Sequence, residues 1–374
     1  MPDLAIISAD SHCNEPAEIY QRLPEEYRAR APHEGLIDGK RYLIYEGQRP
    51  SPMEAPHPLT EDDMRRYWRD GEELGRVQHR EGGTHIPTRL ADQEVDGVTA
   101  EVVYPQAIFK LFSSPDPGYQ LALARLYNDW HHEIFGGYPD KFVVSAQIPM
   151  IDINDGIAEA RRAAKLGYRS FSLPVIMPML PYNMPDYEPF WTAVEDLGVP
   201  VAFHVFTGGP GAEPATQEPY EIRNGVDQLG QVLGMTAAMY PMVQLIASGA
   251  CQRHPGLKFV LAEAGIGWLP WLLVQMDDNH HRRHMWEVPQ LELLPSEYFK
   301  RQGYSTFADD IVGIMTREFT GVDSLMWGSD YPHDEGTFPH SQEVIERTFK
   351  DVSEEDKRKI VCGNAARLYG FRLN

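Results

Sequence analysis

The sequence predicts an α/β protein, a (β/α)8 TIM barrel with elaborated loops on its C-terminal rim. Three observations carry this. Strand-like and helix-like segments alternate along almost the whole chain. Several strand-like segments are near-continuous apolar runs, the mark of parallel strands covered on both faces. Three of those runs end in side chains that can ligate metal: Leu4–Ala9 leads into Asp10-Ser11-His12, Val199–Phe203 into His204, and Ser324–Ser329 into Asp330.

In order, strands are expected at about 4–9, 99–104, 142–148, 169–173, 199–204, 257–262, 303–307 and 324–329. Asp152–Leu166 reads as a helix with Ile157, Ala160 and Ala164 on one face and Gly167 as its stop. Tyr119–Phe135 and Pro185–Leu197 read the same way. At 374 residues the chain fits one barrel domain over 1–374. Residues about 33–86 interrupt the rhythm. They are rich in Pro, Gly, Arg and Glu with little apolar periodicity, an insertion placed after the first strand and hence on the C-terminal rim. A second excursion, Phe206–Asn224, follows the fifth strand on that rim.

Composition narrows the partners. There are 34 basic and 55 acidic residues, a net charge of −21, which argues against nucleic acid or an anionic membrane. No apolar run approaches the ~20 residues of a membrane span. No secretory leader is evident, and the three scattered cysteines, Cys13, Cys251 and Cys362, fit a reducing compartment. The expectation is a cytoplasmic enzyme with a small-molecule substrate and a possible homo-oligomeric state.

In a barrel, functional groups come from the C-terminal ends of several strands. If the first strand continues to His12, Asp10 and His12 share one face. With His204 and Asp330 they make a two-carboxylate, two-imidazole set suited to one divalent ion, Zn or Mn, and less suited to Ca. His333 close to Asp330, and Tyr104 and Phe206 at strand ends, are candidate substrate contacts. His280, His281 and His284 lie in a charged run that reads as a solvated or subunit-facing helix. His131 and His132 read as helix surface or packing, and His254 as a helix terminus. Cys13 adjoins His12 without the partners of a catalytic thiol.

Asp10-Ser-His12 with Glu15-Pro16 just after it, His204, Gly328-Ser-Asp330-Tyr-Pro-His333 and the closing Cys362-Gly-Asn-Ala-Ala-Arg-Leu-Tyr-Gly-Phe371 together resemble the amidohydrolase-related (amidohydrolase 2) family. The branch resembled contains aminocarboxymuconate-semialdehyde decarboxylase and the resorcylate-type decarboxylases. The resemblance spans nearly the whole chain and implies a metal-dependent barrel whose ligand positions fall on Asp10, His12, His204 and Asp330. One place departs. Where those decarboxylases carry a histidine followed by glycine after the sixth strand, this chain reads Leu261-Ala-Glu263-Ala-Gly265.

Glu263 is open to two readings, a cap for a Gly265–Leu273 helix or a catalytic carboxylate able to deprotonate bound water or join the ligand set. The second reading favours a hydrolase in which metal-activated water cleaves a carbonyl-bearing molecule and Asp330 or Glu263 moves the proton. The alternative is non-oxidative decarboxylation of an aromatic or enol-type acid, with Asp330 protonating carbon. A non-catalytic ligand-binding barrel is the reading from another class.

Overall fold

The computed structural model describes residues 4–46, 50–52, 81–106, 108–210, 212, 232–333 and 335–372. Eight parallel strands form one sheet in the order β1 (Ile7–Cys13), β5 (Ala100–Pro105), β6 (Phe142–Gln147), β7 (Ser170–Ile176), β8 (Val201–Gly208), β9 (Phe259–Ala262), β10 (Gly303–Phe307) and β11 (Leu325–Trp327). Neighbours in the sheet are neighbours in sequence apart from the small insertion sheet, as right-handed βα units require. All eight expected strands are present within a few residues of their expected bounds.

The sheet closes on itself through the segment that follows β11. The Asp330 N–H donates to the Asp10 carbonyl (2.9 Å) and the His12 N–H to the Tyr331 carbonyl (2.6 Å). Gly328 permits this approach: a Cβ there would lie 2.6 Å from the Asp10 Cβ and 2.9 Å from the Asp10 nitrogen. The barrel is a TIM barrel, and its strands are buried along essentially their whole length.

Helices return the chain along the outside. Pro117–Phe135 starts at Asp116, whose carboxylate accepts from the N–H groups of Gly118 (2.9 Å) and Tyr119 (3.2 Å). Ile153–Lys165 starts at Asp152 in the same way. The expected Pro185–Leu197 helix is a 3-10 turn, Pro185–Tyr187, running into an α-helix, Glu188–Leu197, stopped by Gly198 at φ 66°.

The expected helix Gly265–Leu273 begins later and runs further, over Leu269–Arg283. Glu263 does not cap it. Asp310, 43 residues or more away in sequence, accepts from the N–H groups of Ile266 (2.8 Å) and Gly267 (2.7 Å) and ties down that turn instead.

The insertion is more ordered at its start than its composition suggests. β2 (His33–Ile37), β3 (Lys40–Ile44) and β4 (Ser51–Pro52) form a three-stranded antiparallel sheet. The signal for it was present: Asp38-Gly39 joins β2 to β3, both residues at positive φ (50° and 79°), the pairing a two-residue hairpin selects. Charged residues on β2 and β3 hide the apolar alternation. The insertion's middle, 53–80, and most of Phe206–Asn224 lie outside the described residues. Its return leg is fixed to the rim, where Asn14 donates from its N–H to the Gly83 carbonyl (2.9 Å) and Thr84 Oγ1 donates to the Asn14 carbonyl (2.8 Å).

Candidate metal centre

β1 runs through Cys13, so Asp10 and His12 lie within the strand, not beyond it, and share the face turned to the barrel axis. His204 sits in β8, which continues past it to Gly208. Glu263 follows β9 by one residue, and Asp330 follows β11 by three. Parallel strands put these ends on one rim. Both Glu263 (φ 55°) and Asp330 (φ 58°) hold left-handed backbone, as does Phe206 (φ 60°). That conformation is unfavourable for side chains of this kind and concentrates at functional sites.

The central observation concerns atoms without partners. Asp10 Oδ1, His12 Nε2, His204 Nε2 and Glu263 Oε2 are buried and make no hydrogen bond. These four converge. His204 Nε2 lies 3.5 Å from both Asp10 Oδ1 and Glu263 Oε2, and His12 Nε2 lies 3.8 Å and 4.0 Å from the same two oxygens.

The opposite side of each ring and of Asp10 is engaged. His12 Nδ1 donates to the Pro105 carbonyl (2.8 Å) and His204 Nδ1 to the Val205 carbonyl (3.0 Å). A carbonyl only accepts, so each Nδ1 carries hydrogen and each Nε2 of the neutral ring presents a lone pair. Asp10 Oδ2 accepts from Thr306 Oγ1 (2.7 Å), which in turn accepts from the Glu263 N–H (2.7 Å). Two lone pairs and two carboxylate oxygens face each other across a buried space. Each orphaned group costs about 1–3 kcal/mol. A cation at their centre removes that cost, and this N/O set suits a divalent transition metal. Asp10, His12 and His204 form one group that could hold a metal ion, and His12, Glu263, Asp330 and His333 form another.

The charge states agree. Burial first, and then the nearby charge of His333, lower His12 to about 4, so it is neutral and ready to ligate at pH 7. Burial, then Asp330 and Asp10, push Glu263 well above the ordinary carboxylate value. A bound cation reverses that pressure and lets Glu263 ionise.

Asp330 stands at the edge of this set. Its Oδ1 is 3.3 Å from His12 Nε2 and accepts from His333 Nδ1 at 2.9 Å. His333 Nε2 meets Gln106 Oε1 at 2.5 Å. With an acceptor at each nitrogen, the His333 ring is held as imidazolium. Burial opposes that charge, but Asp330 outweighs it and His333 is raised to about 9. Burial likewise works to raise Asp330, yet the His333 charge holds it below the ordinary carboxylate range. Gln106 is itself positioned by Glu15, whose Oε1 accepts from its N–H (3.0 Å).

The structure therefore brings together Asp10, His12, His204, Asp330, Glu263 and His333. Tyr104 is fully buried, its ring edge-on to His204 with centroids 4.9 Å apart, so it supports the imidazole from within the barrel. Phe206 is 41% exposed on the rim. Sequence reasoning missed Thr306 and Gln106. Thr306 lies near the end of the predicted seventh strand, where alternation turns it to the axis, and Gln106 directly follows β5; position was their only signal.

The remaining histidines are elsewhere. His131 is buried with Nε2 3.1 Å from Cys13 Sγ, and His254 ends the helix Ala250–Arg253 and bonds Glu188 and Glu195. His280 bonds Glu287 near the surface.

Residues 95–371 match the model of the amidohydrolase family Amidohydro_2, and the chain belongs to that family. It is 26% identical over 327 residues to the gamma-resorcylate decarboxylase of Rhizobium sp. (strain MTP-10005), covering 81% of this chain and 90% of that one. Among solved structures, an amidohydrolase from Mycobacterium avium subsp. paratuberculosis K-10 superposes with a TM-score of 0.78 at 20% identity, covering 99% of this chain and 100% of that one. A dihydroxybenzoic acid decarboxylase from Polaromonas sp. JS666, with bound manganese and the inhibitor 2-nitroresorcinol, gives 0.64 at 19% identity, covering 100% and 98%. The chain is an enzyme of this family. The curated relatives it matches are decarboxylases and do not support the expected hydrolase.

Proposed function

We propose that this protein is a metal-dependent decarboxylase of a hydroxylated aromatic carboxylic acid. The observation that carries the reading is the convergence of four unpartnered ligand atoms beside the Asp330–His333 pair. Asp10, His12, His204 and Glu263 would hold one divalent ion, manganese or zinc, with Asp330 reaching it from the side of His333. When bound, the ion supplies positive charge to draw the substrate carboxylate and a neighbouring hydroxyl oxygen to the site.

Proton transfer falls to the chain's own residues. Decarboxylation replaces a ring carbon–carboxylate bond with a carbon–hydrogen bond and releases carbon dioxide. His333 stores the proton on Nδ1, already aimed at Asp330 Oδ1, and Asp330 passes it to the ring carbon. Gln106 keeps the imidazole from turning away. The closed site, with Asp330 5% exposed and His204 2%, limits competition from bulk water.

The case for hydrolysis rested on Glu263 as a free general base. Its orphaned Oε2 instead faces His204 and His12, which is a ligand's place. That, with the decarboxylase relatives, supports carbon dioxide loss. Incubation of the metal-loaded enzyme with ortho-hydroxybenzoic acids, esters and amides, with products resolved by mass, tests it. Carbon dioxide and the matching phenol are the expected products. Turnover of esters or amides alone would contradict the proposal.

A further inference from the structure

The connection that follows the second barrel strand forms one wall of the metal centre. Gln106 reaches His333 from it, and the 3-10 helix Ile108–Ser113 begins two residues further on. Phe109 in that helix turns its ring onto both imidazoles, with centroids 4.6 Å from His204 and 6.1 Å from His12. Ile108, Phe109, Leu111 and Phe112 are buried. Lys110 stands among them, one residue from the ring that meets the ligands.

Lys110 is half-buried, and its amine makes no hydrogen bond or ion pair among the described residues. The fold does not need that amine. Ser113 Oγ lies within hydrogen-bond reach of the Lys110 (2.6 Å) and Glu46 (2.9 Å) carbonyls, and Gln120 Nε2 donates to the carbonyls of Phe112 (2.9 Å) and Ser114 (2.8 Å). Those bonds fix the turn. Surrounding protein lowers the Lys110 pKa by desolvation, with no carboxylate to oppose the shift. A lysine on a convex surface instead carries its charge out into water. A side chain both part-open and desolvated lines a concavity, here beside the metal centre. The neighbouring guanidiniums are already paired: Glu46 and Asp116 clamp Arg30, and Glu101 and the His12 carbonyl hold Arg89. A desolvated cation without a counterion is costly to hold.

We propose, on the decarboxylase reading above, that Lys110 receives a second anionic group of the substrate, so that the enzyme selects a dicarboxylated hydroxyaromatic acid over a monocarboxylated one. Charge gives the reason. Asp10, Glu263 and Asp330 crowd the metal position in a chain of net charge −21, so a second substrate carboxylate meets repulsion unless a cation receives it. Size agrees. One residue step of ~3.8 Å separates Lys110 from Phe109. An extended lysine side chain is longer than a benzene ring is wide, which matches a carboxylate across the ring from the metal-held group. An acid with the metal-held carboxylate alone leaves the Lys110 charge unanswered.

Isothermal titration calorimetry of the manganese-loaded protein with salicylate and its 4-carboxy and 5-carboxy derivatives tests the contact, with carbon dioxide release recorded in parallel. The wild type is expected to bind one of the dicarboxylates about 10-fold or more tightly than salicylate, the weight of one charge-assisted hydrogen bond. In Lys110→Met that ratio should fall to about 1, and Lys110→Arg should keep most of it. Equal binding by the wild type, a preference that survives Lys110→Met, or failure of every acid to bind overturns the proposal. Should Lys110→Met misfold, Lys110→Gln is read in the same way. Preference without carbon dioxide release overturns the decarboxylase reading and leaves the Lys110 contact standing. Release from all three acids without preference overturns the contact alone.

Discussion

Two buried charged clusters lie side by side along β1, and they solve the same problem in opposite ways. In one, Arg89 donates from Nε to Glu101 (2.6 Å) and from Nη1 to the His12 carbonyl (2.7 Å), and its guanidinium lies 4.9 Å from the centre of the Tyr331 ring. Positive and negative charges are both supplied by the chain. In the other, Asp10, Glu263 and Asp330 gather around the Nε2 atoms of His12 and His204, with His333 to offset them. An internal ion pair stabilises a fold. Four converging acceptor atoms left without a donor ask for a cation from solution.

The contrast can be broken by exchanging which cluster is damaged. Asp330→Asn should leave the fold and bound metal in place but lower kcat by about 10²-fold or more, measured in the product-resolved assay. Near-normal turnover with metal bound would remove Asp330 from proton transfer. Arg89→Met should act on the other axis. It leaves Glu101 uncompensated in the core and costs about 3–5 kcal/mol in urea unfolding. An unfolding midpoint like the wild type's would show that the two clusters are not distinct in kind.

Glu263→Gln gives a smaller effect with an informative sign. In metal-free protein it removes the cost of keeping a buried carboxyl protonated and should raise thermal stability slightly, while metal affinity falls about 10–100-fold. Lower stability without metal would mean that Glu263 has an internal partner.

The smallest effect is a pH dependence. In metal-free protein, folded His333 keeps its proton up to about 9, against about 6.5 for an unfolded histidine. Its contribution to stability is therefore full below pH 6.5 and is lost as pH rises through 9. Melting temperatures of wild type and His333→Gln should converge across that window.

The sequence made the barrel legible because buried parallel strands need apolar runs, and it made Asp10, His12, His204 and Asp330 legible because strand ends are where a barrel puts its chemistry. What stayed hidden was set by distance or by neutrality. Asp310, 43 residues beyond Gly267, ties down the turn ahead of the helix that Glu263 was expected to cap, and no local pattern announces that. Thr306 and Gln106 carry no charge and no motif, yet they orient Asp10 and His333. The insertion's hairpin was written in Asp38-Gly39 but masked by charged neighbours. That Glu263 faces His12 and His204 was hidden as well, because direction is a tertiary property.

Metal stoichiometry is the most direct test of this account. Elemental analysis of protein purified without added metal, beside His204→Ala prepared identically, should find about one divalent ion per wild-type chain and little in the variant. Wild-type protein without metal above trace, and without activity restored by manganese or zinc, would contradict it.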